Sequence, residues 1–246
     1  MRMRAMVLAA MLLLPAWVSA QERAVAAAQA QKVEGYSTVP RTADGIGKAY
    51  MGREIAGIMG WQGAAWLERQ EREREERGSR LLRALAITPG MQIADVGAGT
   101  GWYTRRLAPL VGASGKVFAV DVQPQMVAML RQLATRDGYA NVVPVQGGER
   151  DPMLAAGSID LALMVDVYHE LEYPAEMLDA LGKALKPGGR LVFVEYRAED
   201  EAIPIKPLHK MSERQIRREA SRHGFEYARN VGSLPWQHVV VFRKAR

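Results

Sequence analysis

Residues 95–101 read Asp-Val-Gly-Ala-Gly-Thr-Gly and directly follow a short apolar run, Met91 to Ala94. A run of that length, bounded by glycine, reads as a buried strand. Glycines at 97, 99 and 101 let the backbone turn sharply and approach a ligand with no side chain in the way. Helical signals begin at Trp102, so the turn would aim free N–H groups at a polar or anionic group. The spacing carries more information than the glycines themselves. Dinucleotide sites use Gly-x-Gly-x-x-Gly, which would place the third glycine at Trp102; here it arrives one residue early, at Gly101.

The pattern around this loop alternates. Strands are expected at 91–96, 116–121, 141–145, 159–166 and 189–195, with helices near 102–111, 124–136 and 174–186. Pro124 and Pro174 sit where a helix can start, and Gly188-Gly189 where one can stop. Such alternation means a parallel sheet with helices on both faces. Ser212 with Gln215 reads as a capping box, and Gly224 ends that helix. Strands at 225–231 and 236–243, with Gly232 and Pro235 between them, read as an antiparallel hairpin. The fold class is therefore α/β, a doubly wound, mostly parallel seven-stranded sheet ending in an antiparallel hairpin strand.

The 246 residues suit one domain with an extension. Arg2 and Arg4, the uncharged apolar run Ala5 to Val18 and the small residues Val18-Ser19-Ala20 form the three-part pattern of a secretory signal peptide. Cleavage is expected after Ala20, giving a periplasmic or secreted chain with no stable membrane insertion. The run is short for a membrane span. Cysteine is absent, which excludes disulfides, thiolate metal sites and cysteine nucleophiles. The net charge of +6 includes Arg2 and Arg4, so the mature chain keeps only a mild positive excess.

Residues 21–45 read as a flexible lead, 46–79 as a helical extension, and 80–246 as the main domain. In the extension, Ile55, Met59 and Trp66 would share a helical face. Glu68 to Arg77 is almost wholly charged, with Glu68–Arg72 and Glu73–Arg77 as i,i+4 pairs of a solvated helix. The functional version of that run has one arginine reaching a carboxylate on the ligand.

In a doubly wound sheet, ligands bind outside the carboxyl ends of the strands. Those ends supply Asp95 with the glycine loop, then Asp121, then Gly147-Gly148-Glu149-Arg150-Asp151, then Asp166-Val167-Tyr168-His169-Glu170, then Glu195-Tyr196. A carboxylate at 121 can accept both hydroxyls of a ribose. The ordered set of Asp95 to Gly101, Val120-Asp121, Ser158-Ile159-Asp160-Leu161 and Leu185-Lys-Pro-Gly-Gly189 resembles the class I S-adenosylmethionine-dependent methyltransferases over residues 80 to 243. Within them it looks most like small-molecule enzymes of the quinone-biosynthesis type.

The resemblance implies a Rossmann-like methyltransferase fold, S-adenosyl-L-methionine as cofactor and a small-molecule methyl acceptor. It also implies roles. Gly97, Ala98, Gly99 and Gly101 would wrap the methionine half of the cofactor, with Asp95 near its amino group. Asp121 would hold the ribose, with Val122 and Gln123 beside the adenine. The family's usual Gly-Asp after the third strand is Gly148-Glu149 here, so the adenine contact is either missing or made by Glu149 or Asp151. Asp166 would join the cofactor site. Tyr103 either reaches the cofactor carboxylate or simply packs. The segment Asp44 to Ile55 would cap the site, with Trp61 able to cover a flat substrate.

His169, with Tyr168 beside it, is the candidate for catalysis, as general base or as a shaper of the pocket; His209 and His238 are weaker candidates. The Asn/Asp-Pro-Pro-Tyr motif of amino-nitrogen methylation is absent, and Glu195-Tyr196 does not supply the Asp-Asn of metal-dependent catechol-type enzymes. No metal is expected. Arg214, Arg217, Arg218 and Arg222 fall on one helical side, interrupted by Glu213 and Glu219, with no aromatic platform, so no nucleic-acid partner is expected. The acceptor and the oligomeric state stay open. So do two other readings, a non-catalytic cofactor-binding module and a nicotinamide-dependent oxidoreductase.

Overall fold

The computed structural model describes residues 35–136 and 138–245; the leader at 1–20 and residues 21–34 of the lead lie outside them. Residues from Tyr36 onward form one compact unit. Three strands come first, β1 (Tyr36–Thr38), β2 (Gly45–Tyr50) and β3 (Arg53–Ala56). Short helices follow, α1 (Ala64–Leu67), α2 (Arg72–Glu76) and α3 (Gly78–Ala84). The alternating part then runs β4 (Gln92–Val96), α4 (Thr104–Val111), β5 (Lys116–Asp121), α5 (Pro124–Arg136), β6 (Val142–Gln146) and β7 (Ile159–Val165). It closes with α6 (Pro174–Ala184), β8 (Leu185–Arg197), β9 (Lys210–Met211), α7 (Glu213–Ser221), β10 (Phe225–Asn230) and β11 (Gln237–Lys244).

The large sheet has the order β10-β11-β8-β7-β4-β5-β6, with two-residue β9 beside β8 as an eighth strand. Neighbours from β8 through β7, β4 and β5 to β6 are parallel; β11 is antiparallel to both β8 and β10. The order reverses at β4, which places the glycine loop at the switch point where ligands bind in such sheets. Period-two alternation divides the core. Leu161, Leu163, Val192 and Val194 pack on one face with Ile93, Leu107 and Leu130. Ala162, Met164, Leu191 and Phe193 pack on the other with Leu178, Leu181 and Ile216.

β8 starts four residues before the expected strand, because Leu185 already pairs with Ile159 and Lys186 to Gly189 bulge out, with Gly188 at φ 72°, before pairing resumes at Leu161–Arg190. Half of the expected capping box forms. Ser212 Oγ accepts from Gln215 N at 3.2 Å, but the Gln215 side chain donates to Met51 O and Glu219 instead of reaching back.

The N-terminal extension corrects the sequence reading. Residues 36–56 form an antiparallel three-stranded sheet rather than a flexible lead running into a helix. Met51 and Gly52 both have positive φ, 48° and 87°, and link Tyr50 to its partner Arg53. Two left-handed residues suit a tight hairpin turn, and methionine in the first place disguised it. Ile55 therefore points into a small core with Tyr50 and Ala175, not along a helix with Trp66.

Arg53 fastens this sheet to the main domain. Its Nε and Nη2 donate to the two Glu219 oxygens at 2.9 and 3.0 Å, and Nη1 donates to His169 O at 3.0 Å. Glu219 is fully buried, so removing the guanidinium strands a carboxylate in the core. Arg53→Met should cost about 3–5 kcal/mol, the usual penalty for breaking a buried pair from one side. Urea denaturation reads it, and a loss under about 1 kcal/mol would show that the pair does not fasten the sheet.

Candidate active site

The loop after β4 is pinned from behind. Gly97 N and Ala98 N both donate to Val120 O, at 2.8 and 2.9 Å, and Gly97, Gly99 and Gly101 take φ of 71°, 55° and 84°. A Cβ on Gly97 would lie 2.1 Å from Val167 Cγ2, whereas one on Gly101 would press on Leu130 and Leu133 of α5. Gly97 and Gly99 therefore let the cavity-wall residues Val167 and Leu67 close against the loop, and Gly101 serves packing behind it. Asp121, at the end of β5, joins the two strand ends. Its Oδ2 accepts from Gly99 N and its Oδ1 from Gln123 N, both at 2.9 Å. Burial pushes its carboxyl above the usual carboxylate range, against the pull of these N–H donors.

In front of the loop lies a cavity of about 490 Å³. Of the residues expected from sequence, Gly97, Gly99, Asp121, Val122, Gln123, Gly148, Glu149, Asp166 and His169 line it. Asp95, Ala98, Gly101, Tyr103 and Tyr168 do not. Asp95 is buried behind the loop, accepting from Thr104 Oγ1 at 2.6 Å, so it braces the start of α4. Tyr103 packs edge-on against Trp102 with its buried hydroxyl unpartnered. Tyr168 is fully buried, and its hydroxyl donates to Glu219 at 2.7 Å. Its packed ring holds the next residue, His169, at the wall. Glu149 lines the cavity and Asp151 does not; the Asp151 carboxylate accepts from Met153 N in its own turn.

The charged run behaves unlike a solvated helix. Arg72 and Glu76 are 5% and 1% exposed. Arg72 Nε donates to Glu76 Oε2 at 2.9 Å, and Arg69 Nη2 and the Tyr196 hydroxyl both donate to Glu76 Oε1. Helical geometry covers only residues 72–76, so the expected pairs do not form. Glu68 instead binds Arg105 and Thr100, and Glu73 binds Ser79. Arg69, Arg72, Glu76 and Tyr196 all line the cavity. Nearby in the wall, Asp166 has φ of 53° and a buried Oδ1 with no partner, while its Oδ2 accepts from Gln237 at 2.7 Å. Burial first, then the charges of Glu76 and Glu195, hold Asp166 well above the ordinary carboxylate range.

A second polar group faces the same space. His169 is 2% exposed and Glu195 fully buried. His169 Nδ1 meets Glu195 Oε2 at 2.6 Å, and its Nε2 meets His209 Nδ1 at 3.1 Å. Burial depresses the His169 basicity, but Glu195 outweighs it and leaves the ring more basic than an ordinary histidine. The third weighed histidine, His238, is used within the fold, between Asn230 and Glu199. The segment after β3 roofs the cavity with Ile58, Met59, Trp66 and Leu67. Gln123 latches it, accepting from Trp61 N at 2.7 Å and donating to Met59 O at 3.0 Å. Trp66 lines the cavity; Trp61 does not, and is 40% exposed.

Residues 94–193 match a family model described as a methyltransferase domain. A solved structure of a SAM-dependent methyltransferase from Aquifex aeolicus superposes with a TM-score of 0.72 at 25% identity, covering 76% of this chain and all of that one. The chain carries a class I S-adenosylmethionine-dependent methyltransferase domain. Among curated relatives, the ubiquinone/menaquinone biosynthesis C-methyltransferase UbiE of Laribacter hongkongensis is 25% identical over 53% of this chain and 52% of its own length. The protein-L-isoaspartate O-methyltransferase of Aeropyrum pernix is 34% identical over 46% of this chain and 42% of its own. The chain thus spans about half the length of the curated relatives it matches. S-adenosyl-L-methionine is the cofactor of the domain, and the donor set fits it. Each Asp121 oxygen keeps a lone pair for a hydroxyl, Asp166 Oδ1 is a buried acceptor lacking a partner, and a guanidinium stands in the same wall.

Two outcomes follow. Asp121→Ala should weaken S-adenosylmethionine binding by roughly 1.5–3 kcal/mol through lost charge-assisted hydrogen bonds; unchanged affinity in calorimetry would remove that residue from the site. Burial pushes Asp95 up to about 6, above its unfolded value of about 3.9. The folded state then holds the proton more tightly, so the group is harmless below pH 4 and increasingly destabilising as pH rises through 6. Asp95→Asn should gain on the wild type by about 3 kcal/mol between pH 4 and pH 8. A pH-independent difference in urea midpoints would contradict this.

Proposed function

We propose that this protein moves the methyl group of S-adenosylmethionine to a small-molecule acceptor seated under the β3–α1 segment. One observation carries the reading: the glycine loop with Asp121, the Arg72–Asp166 wall and the Glu195-braced His169 line the same roofed cavity. Its size is that of a small-molecule site. Glycine spacing and the domain match set the nicotinamide reading aside.

Asp121 accepts the ribose hydroxyls, with Val122 and Glu149 flanking the base. Asp166 accepts from the ammonium of the amino-acid end, and Arg72 faces its carboxylate, which is the role the sequence reserved for one arginine of the charged run. When bound, the cofactor supplies a methyl already activated by the sulfonium charge, so alignment and water exclusion do most of the catalysis. Met59, Trp66 and Leu67 give that side of the cavity an apolar lining, and Gln123 tethers their segment. Glu195 fixes His169 so that Nε2, rather than Nδ1, faces the acceptor side.

Incubating purified protein with methyl-labelled cofactor and a fractionated metabolite pool tests the reading. Label should enter a low-molecular-weight acceptor. His169→Ala should abolish transfer while keeping cofactor affinity, whereas Asp121→Ala should weaken both. Label entering only protein, or no transfer to any fraction despite tight cofactor binding, would defeat the reading. We further infer that residues 1–20 export the chain, on the basic start, apolar run and small-residue cleavage site. N-terminal sequencing after cell fractionation should find Gln21 first in the periplasm or medium; intact Met1 in the cytosol would overturn the inference.

A further inference from the structure

His169 and Glu170 sit on the 3-10 turn Tyr168–Glu170, and His209 on the 3-10 turn Pro207–His209. A nitrogen of each histidine and a carboxylate oxygen of Glu170 lie within 4.8 Å of one another, and all three residues line the cavity. We propose that these three side chains form a binding site for one first-row divalent cation, with Zn²⁺ the best-matched ion.

Four features support the site. Glu195 Oε2, at 2.6 Å, takes the Nδ1 side of His169 and so turns the Nε2 lone pair toward His209, the arrangement of a carboxylate-oriented metal histidine. Glu195 is itself fixed, since its other oxygen accepts from Tyr168 N at 2.8 Å. The two histidine nitrogens are 3.1 Å apart. Zn–N bonds of about 2.0–2.1 Å put two nitrogens on one tetrahedral ion about 3.3 Å apart, so the rings need to shift by only a fraction of an ångström. Glu170 supplies the third donor, with Oε2 accepting from Met59 N at 3.0 Å. Arg53 clamps the turn through His169 O.

Two histidines and one carboxylate are the ligand set of open, catalytic-type zinc sites, which leave a coordination position for water or substrate. Here the open position faces the cavity. The acceptors that fit are small molecules with a hydroxyl, carboxyl or similar oxygen. A metal-held hydroxyl releases its proton to solvent near neutral pH and stays on the metal as the oxyanion. The site stands on its own geometry; its service to an acceptor rests on the methyl-transfer reading. The sequence expectation of no metal weighed thiolate sites and the catechol-type set of an aspartate after the fourth strand with Asp-Asn after the fifth, and nothing in the chain order signals that 169, 170 and 209 meet.

Untagged protein, stripped with chelator, is titrated with ZnCl₂ by calorimetry, and its metal content after dialysis is measured by elemental analysis. One Zn²⁺ per chain should bind in the micromolar range or tighter. His209→Ala and Glu170→Gln should each weaken it at least tenfold, while His238→Ala leaves it unchanged. Thermal melts of the stripped proteins show that the variants fold, and Co²⁺ loading should give a visible absorption band that His209→Ala loses. Substoichiometric binding by the wild type, or equal binding by His209→Ala, would overturn the site and leave a hydrogen-bonded histidine pair. S-adenosylhomocysteine affinity, measured on the same metal-free samples, separates this failure from failure of the methyltransferase reading. If that affinity is intact, only the metal proposal falls.

Discussion

The molecule depends on a single carbonyl and a single carboxylate at the end of β5. Val120 O takes both Gly97 N and Ala98 N, and Asp121 takes Gly99 N and Gln123 N. Together they hold a stretch of left-handed backbone that would otherwise leave its N–H groups buried without partners. Because the acceptors belong to the neighbouring parallel strand, the loop cannot form until β4 and β5 pair. Sheet assembly and site assembly are therefore one event. Gln123 extends the linkage to the roof, so the loop, Asp121 and the cover over the cavity are tied together.

The second organising element is the buried charge built around that loop. Arg72–Glu76 and Arg53–Glu219 are both buried pairs, and such pairs stabilise little relative to apolar packing. Their value lies in position. Arg72 lies over the Trp102 ring at 4.7 Å and brings a cation to the cavity from outside the main domain's strand–helix repeat. Arg53 brings the N-terminal sheet onto the turn that carries His169. The N-terminal 40 or so described residues thus act as part of the site rather than as a loose cover.

Most of the main domain was legible in the sequence because its signals are local. A glycine loop after an apolar run, prolines at helix starts, and glycines at helix ends each mark an element without reference to distant residues. The strand-end rule then located Asp121, Asp166 and His169, which line one cavity, and the family resemblance added Gln123. What was missed depends on long-range pairing. The meander at 36–56 was read as the end of a flexible lead and the start of a helix because Met51-Gly52 lacks the usual Asn-Gly or Asp-Gly turn. Arg72 looked solvated because the rings that lie under it, Trp102 and Tyr103, are about thirty residues further along the chain. Asp95 was read toward the ligand because its loop is, though it turns behind it to Thr104; Tyr103, left open between ligand contact and packing, packs against Trp102. His209 meets His169 across 40 residues, a separation no periodicity encodes.

The central claim is that the cavity between the glycine loop and the roofing segment seats an adenosyl amino acid in one orientation. A crystal structure of the protein with S-adenosylhomocysteine tests it most directly. The account predicts ribose hydroxyls on Asp121, the amino-acid end between Asp166 and Arg72, and the sulfur directed toward the His169 side. A nucleoside bound elsewhere, or reversed so that Asp121 meets the amino-acid end, would contradict it.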